Sequence, residues 1–170
     1  SSLSLSIDSL QKTYYGLPNR QEILFICLIW TVTILPIIDH NNTDETPWRP
    51  NYRKWDITKK GDGTTSSSMS LSSIGTGAGA PLHTHEADEL IVVLKGTLEV
   101  VIDGETYFVG ADHTIVVPPN VPHGFTNKEA SEAQILGFFP IQDPFNHTKY
   151  LDGVAPSGHD VDEEGRSRSV

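Results

Sequence analysis

Gly77-Ala-Gly-Ala-Pro-Leu-His83-Thr-His85-Glu-Ala-Asp-Glu89-Leu-Ile-Val-Val-Leu-Lys-Gly96 is the stretch that decides how this chain is read. His83 and His85 are separated by one residue, so on an extended strand both imidazoles lie on the same face. Glu89 follows after an interval just long enough for a new strand to begin. A fourth candidate, His123, comes after the Pro-rich turn Pro118-Pro119-Asn120-Val121-Pro122 and must therefore stand on a more distant strand. Three imidazoles and one carboxylate offered to one point suit a single divalent transition metal ion, Fe, Mn, Ni, Cu or Zn. They suit Ca or Mg poorly, because those ions take oxygen ligands.

Outward from this stretch the chain reads as short strands and turns. Residues 52–58 form a candidate first strand, and Lys60-Gly61-Asp62-Gly63 a turn. Residues 66–73 alternate small polar side chains with Met69 and Leu71, as a half-buried strand does. Leu90-Ile-Val-Val-Leu94 is a β-branched apolar run that reads as a core strand. Leu98, Val100 and Ile102 share one face of the next strand, and Asp103-Gly104 signals a hairpin of the type I′ kind. Residues 105–109, 115–117, 122–127 and 133–139 supply the remaining strands. The pattern is that of an all-β sandwich or barrel. After Pro140 it fades: residues 142–151 read as an extended arm or a short helix packing by Phe145 and Tyr150.

The segment 77–96 resembles, along its whole length, the first signature motif of the cupin superfamily. Gly110 together with Pro118-Pro119-Asn120-Val121-Pro122-His123-Gly124-Phe125-Thr126-Asn127 resembles the second. Asn120 stands where the family usually has glycine; Asn tolerates positive φ better than most residues. The interval from Gly110 to Pro118 is somewhat longer than the common spacing. The resemblance implies a single-domain cupin of the double-stranded β-helix or jelly-roll kind, with a quercetinase-like metal site of His83, His85, Glu89 and His123. Alternation along the strands is expected to bring His83, His85 and Glu89 inward from one sheet and His123 from another.

Four protein ligands leave one or two exchangeable positions, which is what a catalytic metal needs. Glu89 is then either a permanent ligand or a general base. The first functional expectation is a metal-dependent dioxygenase acting on a small oxygenated organic substrate. The alternatives are a metal-dependent lyase or isomerase of a small acid or sugar, and a non-catalytic barrel that binds a small ligand. Leu98, Val100 and Phe125 are candidates for apolar pocket walls, and Tyr107, Asn127 and Gln134 for hydrogen-bonding positions. His40, His113, His147 and His159 read as surface or packing histidines.

With 170 residues the chain is one domain with extensions, and its formal net charge of -10 argues against nucleic acid as a partner. The single cysteine, Cys27, permits neither an intrachain disulfide nor a Cys-based metal site. Three regions are expected: an N-terminal extension 1–47 with an apolar segment 23–38, a barrel 48–151, and an acidic, flexible tail 152–170. As a helix the apolar segment reaches about 24 Å, short of the roughly 30 Å of a bilayer core. It is preceded by Lys12 and Arg20 and followed by acidic residues, as a signal peptide or anchor is. Membrane contact is expected only through this segment; without that role the chain reads as cytoplasmic, and the segment as a buried strand, a buried helix or a dimer contact. The resemblance itself implies a homodimer.

Overall fold

The computed structural model describes residues 37–59 and 61–170. Thirteen strands account for most of this span: β1 (Glu45–Arg49), β2 (Tyr52–Thr58), β3 (Ser68–Ile74), β4 (Gly79–His85), β5 (Glu89–Lys95), β6 (Thr97–Ile102), β7 (Glu105–Gly110), β8 (His113–Val117), β9 (His123–Thr126), β10 (Ala133–Phe139), β11 (Thr148–Tyr150), β12 (His159–Val161) and β13 (Ser167–Ser169). They make a six-stranded sheet in the order β1-β2-β3-β10-β5-β8 and a five-stranded sheet in the order β11-β4-β9-β6-β7. β12 and β13 pair as a separate two-stranded ribbon. Every pairing is antiparallel. Two antiparallel sheets with strands that cross between them form a jelly roll: the alternation and turn signals anticipate an all-β sandwich or barrel, and the family resemblance its jelly-roll form.

The core lies between the two sheets and is built by the period-2 rule. Ala133, Ile135, Gly137 and Phe139 are the inward set of β10, and Glu89, Ile91 and Val93 that of β5. Leu98 and Val100 face them from β6, and Ile74, Ile115, Val117 and Phe125 complete the cluster. Glu89 thus points into the same interior as two core aliphatics, with one carboxylate among apolar neighbours.

Turn chemistry sets the register. Asp103 and Gly104, with φ of 50° and 85°, form the tight connection of β6 and β7, both in the left-handed region that a type I′ hairpin requires. Asn120 adopts φ of 63°, in the left-handed region that asparagine tolerates, and its N–H donates to the His85 carbonyl at 2.7 Å. The second-motif loop is thereby tied to the strand that carries two of the histidines. At Gly79 the carbonyl of Phe125 comes so close that an added Cβ would lie 1.9 Å from it, so β4 and β9 approach only because no side chain is there.

Three expectations are corrected. β1 begins at Glu45, upstream of the expected barrel start at residue 48, because Glu45 and Thr46 pair with Trp55 and Lys54. The tail 152–170 is acidic as read, but it carries the β12–β13 ribbon. It is joined to the barrel by Ser157 N–H to the Trp48 carbonyl (2.8 Å) and by Ser169 to Asn146 (2.9 Å). The sheet assignment of the ligands is also different, as described below. The apolar segment 23–38 lies, but for its last two residues, outside the described residues. Among the described residues no helix is long and apolar enough to cross a membrane.

Candidate metal centre

β4 places His83 and His85 on one face, two residues apart, as the spacing predicts. His123 on β9 is the direct cross-strand partner of His83. All three histidines therefore belong to the five-stranded sheet, and Glu89, first residue of β5, reaches them from the six-stranded sheet. The expected division, with His123 alone on the second sheet, is wrong. The turn 86–88 carries the chain across the barrel between His85 and Glu89, so it is the carboxylate that changes sheets.

All four side chains are buried, and one ligand atom from each lies within 4.8 Å of the others. The Nε2 atoms of His83 and His85 are 3.0 Å apart. The Glu89 carboxylate lies 2.8 Å from His123 Nε2 and 3.5 Å from His85 Nε2. Behind each ring a second partner fixes the tautomer. His83 Nδ1 donates to the Pro81 carbonyl at 2.7 Å and His123 Nδ1 to the Val121 carbonyl at 2.9 Å. His85 Nδ1 lies 2.7 Å from the Thr148 hydroxyl, which itself donates to the Pro144 carbonyl at 3.1 Å. Thr148 has thus spent its proton and accepts one from His85.

With every Nδ1 carrying a hydrogen, each Nε2 can present a lone pair to a metal ion at the common centre, once the hydrogen bonds that His123 and His85 make to Glu89 in the metal-free cluster are given up. This is how metal-ligating histidines are prepared. Two lone pairs facing each other at 3.0 Å repel unless a cation lies between them. Imidazole nitrogens about 2.1 Å from one metal ion, seen at a right angle, would be about 3 Å apart. The donor set, its tautomers and its spacing therefore fit a divalent transition metal.

The electrostatics of the metal-free cluster follow from burial. Desolvation, helped by the neighbouring His123 and His85, pushes His83 down to about 3, so this ring stays neutral. Burial alone would raise the Glu89 carboxyl, but hydrogen bonds from His123 and His85 outweigh it and hold the group well below the usual carboxylate range. Burial opposes charge on His123 too, and there the contact with Glu89 prevails and lifts its affinity for a proton. Glu89 is ionised, and His123 is the ring it pairs with.

The cavity beside the cluster is small, about 40 Å³, and is walled by Tyr52, Phe125, Phe139, Phe145 and Tyr150. The His85 ring meets Phe139 edge-on at 4.8 Å. Burial raises the phenols of Tyr52 and Tyr150, which stay protonated as hydrogen-bond donors. Of the six pocket positions expected from sequence, only Phe125 lines this cavity. Leu98 and Val100 are fully buried in the aliphatic core. Asn127, also fully buried, ties the loop after β9 together by donating to the Ile74 and Ser131 carbonyls and accepting from Glu129 N–H. Tyr107 is half exposed on β7, at the edge of its sheet, and Gln134 lines a surface depression with Arg53 and Trp55. His113 and His147 are exposed; His147 pairs with Glu86 at 3.0 Å.

Apart from Phe125, sequence reasoning missed the aromatic wall, and it missed Thr148. Trp48 belongs to β1, which lacks a strand-like pattern, and Tyr150 and Thr148 belong to β11, which pairs with β4 so that Thr148 faces His85 and Tyr150 faces His83. The available signal was the alternation Thr148-Lys149-Tyr150, too short to separate from an arm.

Residues 70–139 match the family model of the cupin domain. The match supports the cupin superfamily for this part of the chain. A protein from Streptomyces cyaneus named polyketide synthase CurC is 31% identical over 96 residues, 56% of this chain and 62% of that protein. The chain thus spans less than two thirds of that relative's length. Among solved structures, the polyketide cyclase RemF from Streptomyces resistomycificus is similar in fold with a TM-score of 0.61 and 18% identity, over 78% of this chain and 90% of that one. A recombinant oxalate oxidase in complex with glycolate has a TM-score of 0.52 and 26% identity, over 61% of this chain and 57% of that one.

Proposed function

We propose that this cupin is a metal-dependent enzyme of the dioxygenase kind, acting on a small oxygenated organic substrate, with His83, His85, His123 and Glu89 as the ligands. The observation that carries the reading is the set of three imidazole Nε2 atoms, each ring fixed from behind, and one ionised carboxylate, converging in a buried aromatic cavity. A divalent transition metal held there supplies Lewis-acid polarisation of substrate oxygens and, for a redox-active ion, the electron exchange that oxygen chemistry needs.

The protein's own contribution is positional. The three imidazoles hold the ion, and the carbonyls of Pro81 and Val121 keep two of them in the competent tautomer. Glu89 stays ionised and is within reach to take a proton from a substrate hydroxyl. Phe125, Phe139 and Phe145 exclude water, which strengthens each charge interaction in the cavity. Tyr52 and Tyr150 donate hydrogen bonds to substrate oxygens.

A second reading is a non-oxidative rearrangement or ring closure of a polyketide-like, enolisable substrate. It is favoured by the 31% identical relative named as a polyketide synthase. The deciding experiment loads the protein with Fe, Mn, Ni, Cu or Zn in turn and follows oxygen uptake and product formation on a panel of polyhydroxylated aromatics and β-dicarbonyl compounds. Oxygen consumption matched to product supports dioxygenation. Turnover that is equal under argon supports the second reading. Absence of turnover with every metal overturns both.

A further inference from the structure

A second cavity of about 210 Å³ lies against the first. The two share five wall residues: Trp48, Lys54, Ser70, Phe139 and Phe145. The inner space, about 40 Å³, is the size of an ion with one or two small ligand groups. An organic molecule that reaches the ion must place its bulk elsewhere, and the adjoining cavity is the space that shares the partition.

The charge arrangement of this outer cavity is specific. Lys54 is only 3% exposed. Lysine is almost never buried this deeply without a partner. Its ammonium sits over the Trp48 ring at 4.4 Å from the centroid and over Phe145 at 4.8 Å. Its hydrogen-bond partner is Asp56, whose other oxygen accepts from the Thr46 hydroxyl at 2.7 Å. An ammonium has three donors; here one is used by Asp56, and the aromatic faces screen but do not consume the others. Burial lowers the lysine's affinity for its proton, and Asp56 opposes that loss. His159 closes the far side, edge-on to Trp48 at 5.6 Å. Lys59 and Asp143, the remaining charged residues of the lining, are exposed and lie at the rim with opposite signs.

We propose that this outer cavity is a second ligand subsite, which takes a small planar molecule bearing an anionic oxygen and seats that oxygen on Lys54. Trp48 and Phe145 line the space for the planar body, and the ammonium, already desolvated, gains a second charge-assisted hydrogen bond when the oxyanion arrives. That this ligand is the outer part of the metal-site substrate rests on the function proposed above; the subsite itself does not.

The test uses benzoate and its uncharged analogue benzamide, titrated by NMR into the full chain, metal-loaded and metal-stripped. Benzoate is expected to bind saturably and at least tenfold more tightly than benzamide, with intermolecular NOEs to the Trp48 indole. The preference is expected to persist within about threefold after the metal is stripped, and to vanish in Lys54→Met. Benzoate affinity unchanged in Lys54→Met overturns the proposal. So does loss of benzoate binding on metal removal, which would put the carboxylate in the inner cavity. The NOE measurement needs no variant, and its absence at saturating benzoate is equally decisive. Benzoate seated by Trp48 in a protein that turns nothing over would sink the enzymatic reading and leave the subsite standing.

Discussion

The ligand cluster and the wall around it are assembled in opposite ways. His83, His85 and Glu89 come from seven consecutive residues, and His123 from the strand that pairs directly with the first of them. The wall is gathered from the two ends of the described chain: Trp48 and Lys54 from β1 and β2, Phe145 and Tyr150 from the segment that follows the last long strand. Chemistry sits in a local motif, and selectivity in contacts made across about a hundred residues. The two can thus be altered separately, except where the wall touches the cluster directly.

The largest expected effect breaks the cluster alone. In His85→Ala the remaining donors lose their middle member, and metal affinity is expected to fall by more than about a hundredfold, beyond the range for outer partners. Elemental analysis of the purified variant measures it, and circular dichroism should show the β-sheet retained. Full metal content in this variant would mean that His85 is not a ligand.

Besides the ring contact of Phe139 with His85, the cluster is held from the strand that carries Tyr150 of the wall, by Thr148, whose hydroxyl accepts from His85 Nδ1. Thr148→Val keeps the shape of the side chain and removes that partner. Metal affinity is expected to drop by about 10–100-fold, read by competition with a chromogenic chelator. Affinity equal to wild type would separate the two regions completely and leave His85 fixed by Phe139 packing alone.

How much of this was legible follows the same division. Strands 52–58 and 133–139, the hairpin at Asp103-Gly104 and the positive φ at Asn120 were readable, because each is encoded by residues that touch within a few positions. The four-residue cluster was readable because its spacing is local and its last member follows a recognisable turn. Lys54 was not, since nothing near it in sequence says that Trp48 and Phe145 will enclose it. Asn127 was misread for the same reason: its side chain spans the chain ends of one loop, a role visible only once Ile74 and Ser131 are brought beside it. The assignment of sheets failed because a three-residue turn between His85 and Glu89 gives no hint of crossing the barrel.

Acid should sharpen the contrast by acting on the cluster and not on the wall. In the metal-free protein His83 is held neutral down to about pH 3, whereas the unfolded chain protonates it near 6.5. Between these values the unfolded state binds more protons, so stability falls as pH falls. Glu89, depressed when folded, adds stability above the usual carboxylate pKa of about 4.3 and loses it as pH drops below. His123 acts the other way: its raised value gives stability that is complete below about 6.5 and is lost as pH rises through the folded value. The metal-free protein is therefore expected to be most stable near neutrality, with an acid loss approaching about 1.4 kcal/mol per pH unit for each proton taken up. Urea midpoints at pH 7.5, 6 and 5 measure this, and the gap between metal-loaded and metal-free midpoints should narrow with acid. A flat profile would mean that the buried rings are already charged when folded.

The smallest effect is expected at Tyr107, which pattern alone made a pocket candidate. It stands about half exposed on β7, the edge strand of its sheet, and is not among the residues lining either cavity. Exposed substitutions away from special features usually change stability by less than about 0.5 kcal/mol. Tyr107→Ser should therefore leave metal content, benzoate binding and the urea midpoint at their wild-type values. A change in metal affinity in this variant would couple the outer face of the five-stranded sheet to the cluster, and the separation of local chemistry from long-range selectivity would no longer hold.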